Sequence, residues 1–209
     1  MLGIQFGTKH SWDDWGLILE NVEETPPEPR RYVVEVPGRD GVLDLTGELT
    51  EEICYGPRMV TFTFHVKSGG WTVLKSEIMS FLHGKTMNVM SDLDTEYFWR
   101  GFCLFDSFSS NETTGTLVIR VEADPYKYAK MATSYSQNGD GTVVCANDRM
   151  KVIPQITNTA EATIVFGTVS VTLSEGVHKV DDIVFAEGNN TLVITSTGLT
   201  TITYRQGRL

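Results

Sequence analysis

Apolar residues recurring at every second position constrain this 209-residue chain more than any other feature. In Val60-Thr61-Phe62-Thr63-Phe64-His65-Val66, the residues Val60, Phe62, Phe64 and Val66 fall on one side of an extended backbone. Thr61, Thr63 and His65 fall on the other, because successive side chains of a strand point to opposite faces. This pattern predicts a half-buried strand. Leu117, Ile119, Val121 and Ala123 alternate with Val118, Arg120 and Glu122 in the same way. Tyr97 to Phe105 is an aromatic-rich run after the turn-like Ser91-Asp92-Leu93-Asp94, which reads as the flank of a hairpin. Only one stretch has a helical period. After Ser68-Gly69-Gly70, the residues Trp71, Leu74, Ile78, Phe81 and Leu82 share one face and Gly84 follows as a C-terminal breaker. The spacing predicts one helix, over about 71–83, packed on a sheet.

The second part of the chain is a series of short β segments. Ile164 and Phe166, then Val169, Val171 and Leu173, then Leu192 and Ile194, then Ile202 and Tyr204 alternate with threonines and serines. Between segments lie Asn138-Gly139-Asp140-Gly141, Ser174-Glu175-Gly176, Glu187-Gly188-Asn189-Asn190 and Thr197-Gly198, all turn formers. Seven or so short strands predict a small β-sandwich. The charge also changes along the chain: residues 1–128 carry 11 Lys+Arg and 20 Asp+Glu (net −9), and residues 129–209 carry 6 and 7 (net −1). Two domains are expected, 1–128 and 129–209, with the junction at Asp124, Pro125 and Tyr126. There Pro125 removes a backbone donor and restricts Asp124 to extended conformations. Pro26-Pro27-Glu28-Pro29 should be an extended, exposed connector. The fold class expected is mainly β: an N-terminal sheet or barrel-like domain with one helix, then a C-terminal sandwich.

Composition narrows the partners. With a net charge of −10 and a pI near 4.8, the chain offers no broad surface for nucleic acid or anionic membrane, whose binding draws on clustered Lys and Arg. No window approaches 18 consecutive apolar residues, and Met1 to His10 lacks the basic and apolar regions of a signal peptide, so a protein made in the cytoplasm is expected. Cys54, Cys103 and Cys145 form no close pair and no CxxC motif, and are expected to be buried thiols.

Catalytic patterns are weak. His10, Ser11, Asp13 and Asp14 supply the residue types of a nucleophilic triad, but a triad needs side chains converging from separate elements. A polar loop anchored by Trp12 and Trp15 is the simpler reading. Asp92, Asp94 and Glu96 resemble the opening of a calcium loop without its glycine or closing Glu. Glu23-Glu24, Glu51-Glu52 and Asp181-Asp182 read as paired surface acids. His10, His65, His83 and His178 are scattered, with no zinc spacing, and there is no GxSxG, GxxxxGK[ST] or GxGxxG motif. The sequons Asn111-Glu112-Thr113 and Asn189-Asn190-Thr191 are idle without a signal peptide. No catalytic residue, metal site or cofactor is expected, and the chain is not read as an enzyme.

One ordered set of features does point to a family. Gly16-Leu17-Ile18-Leu19, then Val36-Pro37-Gly38-Arg39-Asp40-Gly41-Val42-Leu43-Asp44-Leu45-Thr46-Gly47, the strand from Met59 to Val66, the helix after Trp71, Trp99-Arg100-Gly101 and Ala123-Asp124-Pro125-Tyr126-Lys127-Tyr128 occur in that order. The chain thereby resembles the distal tail proteins of long-tailed, non-contractile bacteriophages. Glu187 to Ile194 and on to Leu209 also looks like that family's closing strands.

The resemblance implies an N-terminal domain that closes a hexameric ring and a galectin-like C-terminal sandwich outside it. It implies a hub in the virion, assembled in the host cytoplasm. Its partners would be further copies of itself, the tail tube protein, the tail-tip protein and, in some phages, a receptor-binding protein. Pro37, Gly38, Arg39, Asp40 and Gly41 are then candidates for a turn at an assembly surface, and Trp12 and Trp15 for interface anchors. An alternative reading makes the C-terminal sandwich a saccharide-binding module for host recognition. Residues 129–209 offer it only Tyr135, Phe166, Phe185 and Tyr204 as stacking platforms.

Overall fold

The structure, a computed structural model, describes residues 1–46, 53–67, 71–111 and 114–209. It is mainly β and divides into two compact units, Met1–Pro125 and Tyr126–Leu209. The first unit contains β1 (Ile4–Phe6), β2 (Lys9–His10), β3 (Ile18–Thr25), β4 (Val33–Glu35), β5 (Val42–Asp44) and β6 (Arg58–Lys67). The helix α1 (Trp71–Leu82) follows, then β7 (Lys85–Ser91), β8 (Asp94–Ser110) and β9 (Thr114–Ala123). Seven of these strands form one antiparallel sheet in the order β2-β1-β7-β8-β9-β6-β3. Among the described residues, β4 and β5 pair only with each other.

The alternation in the sequence sets the core. Val60, Phe62 and Phe64 are fully buried, and they meet Leu117, Ile119 and Val121 across the β6–β9 ladder. Phe6, Phe62 and Trp99 add edge-to-face ring contacts at 5.6–5.9 Å. One face of α1 joins this core through Ile78 and Leu82, with Leu74 and Phe81 packed beside them. Gly84, at φ 77°, ends the helix in the left-handed conformation that a side chain would disfavour. Gly101 is required for another reason: a Cβ there would sit 2.6 Å from the Glu122 carbonyl oxygen, so β8 and β9 approach only because this residue has no side chain.

The second unit contains β10 (Lys127–Ala129), β11 (Thr133–Asn138), β12 (Gly141–Asn147), β13 (Gln155–Asn158), β14 (Ala162–Phe166) and β15 (Val169–Leu173). β16 (Gly176–Lys179), β17 (Gly188–Ser196), β18 (Leu199–Tyr204) and β19 (Gly207–Arg208) complete it. Two four-stranded antiparallel sheets, β11-β18-β13-β16 and β12-β17-β14-β15, enclose a core of Ile156, Ile164, Phe185, Leu192, Ile194 and Ile202 among others. The turns at Gly139-Asp140, Ser174-Glu175 and Thr197-Gly198 carry the chain from one sheet to the other, whereas Gly167-Thr168 closes a hairpin within one sheet. The abundance of threonine has a structural reason. Ser134 with Thr203, Ser136 with Thr201 and Thr163 with Thr172 pair hydroxyls across strands at 2.9–3.1 Å.

Several expectations need correction. Tyr126 to Tyr128 go with the second unit, because Lys127 and Tyr128 pair with Arg208 and Gly207. Glu187 to Asn190 is not simply a spacer: β17 starts at Gly188, and Asn190 is buried opposite Cys145. Pro26, Glu28 and Pro29 are exposed as expected, but the segment is tied down. Pro27 is buried, Pro29 bridges to Tyr55, and the Glu28 carbonyl accepts a hydrogen bond from Gly56 N. Among the thiols, Cys103 and Cys145 are buried but Cys54 is exposed. Burial pushes the Cys103 thiol up to about 12 and the Cys145 thiol up to about 11, so both stay protonated.

Candidate functional site

The β4–β5 hairpin holds the Pro37 to Gly41 turn. Glu35 pairs with Val42 and Val33 with Asp44, and between them Arg39 N donates to the Val36 carbonyl at 3.1 Å. Gly38 (φ 82°) and Gly41 (φ 76°) both occupy the left-handed region, which explains why glycine stands at these two positions. A two-stranded hairpin is marginal by itself, so the strength lies at its base. There Asp44 receives the Arg31 guanidinium at 2.6 Å, and its other oxygen accepts from Thr46 N and Thr46 Oγ1 at 3.0 and 2.6 Å. The hydrogen bonds from Thr46 and Arg31 hold the Asp44 carboxyl down at about 2.

What this hairpin exposes is unusual. Tyr32, Val33, Val34, Val36 and Val42 are each 39–49% exposed, although valine and tyrosine in a strand ordinarily cover a core. Val33 and Val34 point to opposite faces, so both faces present apolar surface. An open hollow of about 480 Å³ lies at the tip, lined by Glu35, Val36, Pro37, Arg39, Gly41 and Val42. Exposed apolar surface of this kind is a candidate for contact with another molecule.

The tryptophans separate. Trp15 is 5% exposed, packs with Phe6 and Phe81, and donates its indole N–H to Glu77 Oε1 at 3.2 Å, so it serves the core. Trp12 is half-buried and keeps a face toward solvent. The loop around them is structural. Ser11 is buried with its Oγ accepting from Ile4 N at 2.9 Å, and His10 Nδ1 accepts from Asp13 N at 3.2 Å. His10 Nε2 then faces Asp92 Oδ2 at 3.1 Å, and that same oxygen accepts from Gly3 N. Ser11 and His10 thus serve different partners, and the triad geometry is not built. Asp92 is spent on tying β1 to the β7–β8 turn.

At the junction, Asp124 N donates to the Arg100 carbonyl at 2.9 Å. The Pro125 carbonyl accepts from Arg58, whose guanidinium is almost fully buried and also binds Glu24. Glu24 Oε1 accepts the Trp99 indole N–H as well, at 3.3 Å. Glu24 is therefore a half-buried counter-ion and not a surface acid. Sequence reasoning missed Arg58; its only signal is a cation at the start of an apolar alternating strand. Glu51-Glu52 lie outside the described residues, as does part of the Asn111 sequon, while Asp181 and Asp182 are exposed.

In the second unit, Phe185 and Tyr204 are buried and meet edge-to-face at 5.1 Å, while Tyr135 stacks on Tyr204 and Phe166 packs on Phe185. Burial raises the Tyr204 phenol, which donates to the Ala146 carbonyl. Phe185 and Tyr204 belong to the core cluster, while Tyr135 and Phe166 are partly buried and pack against it. Among the described residues, no group of three or more His, Cys, Asp or Glu side chains is arranged to hold a metal ion, and no helix is long and apolar enough to cross a membrane.

Comparison with solved structures gives the fold. The chain superposes on the crystal structure of SPP1 Dit (gp 19.1) with a TM-score of 0.71 at 16% identity, covering 100% of both chains. It has the fold of that protein. SPP1 Dit is described as a paradigm of the hub adsorption apparatus in Gram-positive-infecting phages. No family model matches the chain, and no curated protein matches it in sequence. The match covers the residues of both units.

Proposed function

We propose that this chain is a structural protein of a phage tail, a distal-tail hub of the Dit kind. The observation that carries the reading is the full-length match to SPP1 Dit, with neither chain left uncovered. The sequence supports it independently, through the Pro37-to-Gly41 turn, Trp99-Arg100-Gly101 and Asp124-Pro125-Tyr126 in order. In this reading six copies close a ring through a heterologous interface. One face of the ring meets the tail tube and the other the tail-tip protein, and the exposed β4–β5 hairpin, with the turn from Pro37 to Gly41, lies at an assembly contact. The first unit forms the ring and the second is a module for further tail components.

The charge is consistent with a passage for DNA. Six copies bring 6 × −10 = −60 formal charges, and an acidic lumen repels the phosphate backbone. A ring with a basic lumen would remove that part of the reading.

Antibody labelling of intact particles tests the proposal. Antibodies raised against the purified chain should mark the far end of the tail tube, once per tail. Label on the capsid or along the whole tube, or none on the disrupted tip, would contradict it.

A further inference from the structure

The core face of the β11-β18-β13-β16 sheet is apolar at Ile156, Ile202 and Tyr204, yet it ends in two polar side chains, Asn158 and Thr200. They are direct partners in the β13–β18 ladder and are 2% and 0% exposed. Asn158 Nδ2, Asn158 Oδ1 and Thr200 Oγ1 have no hydrogen-bond partner among the described residues. Folded proteins satisfy nearly all buried polar groups, so three such atoms at one place need an explanation.

Geometry narrows the explanation. Directly opposed residues on an antiparallel pair have Cβ atoms about 4.5–5.5 Å apart, so the amide and the hydroxyl lie within reach of one small bridging molecule without bonding each other. On its other flank Asn158 is opposite Gly176, which has no side chain to fill the space beside the amide. The molecule must both donate and accept, because the orphan set includes an amide N–H donor, a carbonyl acceptor and a hydroxyl that is either. Water fits these demands and typically uses two to four such partners when buried. A metal ion does not, since no acidic cluster capable of holding one exists among the described residues. An apolar ligand would leave all three atoms unpaired.

We propose that Asn158 and Thr200 form a binding site for an ordered internal water inside the sandwich of the second unit. The water joins β13 to β18 at the end of their shared core face. It also fixes register, because Thr200 and Thr201 are adjacent and chemically alike, and only the observed pairing brings Thr200 opposite Asn158 on the core side. The site is independent of the tail-hub reading and stands or falls on the second unit alone.

Crystal structures of the full chain and of Thr200→Ser and Thr200→Val, at a resolution that shows ordered solvent, test the site. The wild type should show one water peak within hydrogen-bond distance of Thr200 Oγ1 and the Asn158 amide. Thr200→Ser should keep it, and Thr200→Val should lose it together with a lower unfolding midpoint. A direct hydrogen bond between Asn158 and Thr200, or an empty space beside them in the wild type, would overturn the proposal. Should Thr200→Val fail to fold, the wild-type and Thr200→Ser densities decide it alone.

Discussion

Strand β6 and the β4–β5 hairpin are both rich in β-branched and aromatic residues, and they meet opposite fates. In β6, Val60, Phe62 and Phe64 are wholly withdrawn from solvent between neighbours on both edges, β3 and β9. In the hairpin, Val33, Val34 and Val42 remain 46–49% exposed, with no third strand alongside among the described residues. The difference is organisation: β6 alternates apolar with polar residues and so offers one face to one core. The hairpin places valines side by side, offers both faces, and has no core of its own. In the proposed function this exposed apolar surface is an assembly contact.

The contrast can be broken most forcefully by truncation. Phe62→Ala should cost about 3–5 kcal/mol, as for other large-to-small core changes, and should lower the denaturation midpoint of the first unit sharply. Val34→Ala should move stability by no more than about 0.5 kcal/mol, the range of ordinary surface changes, while weakening self-association. A large stability loss in Val34→Ala would show that the hairpin is covered within its own chain. Next in size is Gly41→Val. Forcing a β-branched residue into positive φ costs on the order of 1–3 kcal/mol, and since the hairpin stands apart, the loss should appear as faster hydrogen exchange at residues 33–44 with β6 and β9 unchanged. Unaltered exchange there would show that the turn does not need its glycine.

Acid sharpens the comparison further. The folded Asp44 carboxyl is held at about 2, below its ordinary 3.8. A depressed carboxyl stabilises the folded form above the unfolded pKa and loses that contribution as pH falls through the folded one. The base of the hairpin should therefore loosen between about pH 4 and 2, before β6 or β9 respond. Following the amide resonances of Tyr32 and Thr46 through that range checks it, and Asp44→Asn should abolish the step. The smallest effect concerns thiols. Native protein should react rapidly with an alkylating reagent at Cys54 alone, and at Cys103 and Cys145 only after denaturation; three fast thiols in the native state would refute the burial of both units' cysteines.

Much of the fold was legible because it is written in short periods. Val60 to Val66, Leu117 to Ala123 and the Leu74–Ile78–Phe81–Leu82 stripe each declare a face within a few residues, and Gly84 closes the helix by its own dihedral preference. What escaped depends on partners distant in sequence. Pro27 is buried and Pro29 is bridged by residues 54–56, and Glu24 is held by Arg58 and Trp99, 34 and 75 positions away. Cys54 looked like a buried thiol from its type alone, but the segment it belongs to runs along the surface. For the candidate site, the turn from Pro37 to Gly41 could be read from its glycines. The exposure of Tyr32 to Val36 could not, because composition predicts burial, whereas among the described residues no third strand pairs with the hairpin. Trp12 and Trp15, three positions apart, gave no sign of which would enter the core.

In the proposed function this chain is one sixth of a ring, and its mass in solution decides between a ring and a lone subunit. Light scattering on a size-exclusion column, over a range of concentrations and with the tail tube protein added, should reveal a species of 6 × 23.3, about 140 kDa. A strict 23.3 kDa monomer under every one of those conditions would contradict the proposed ring.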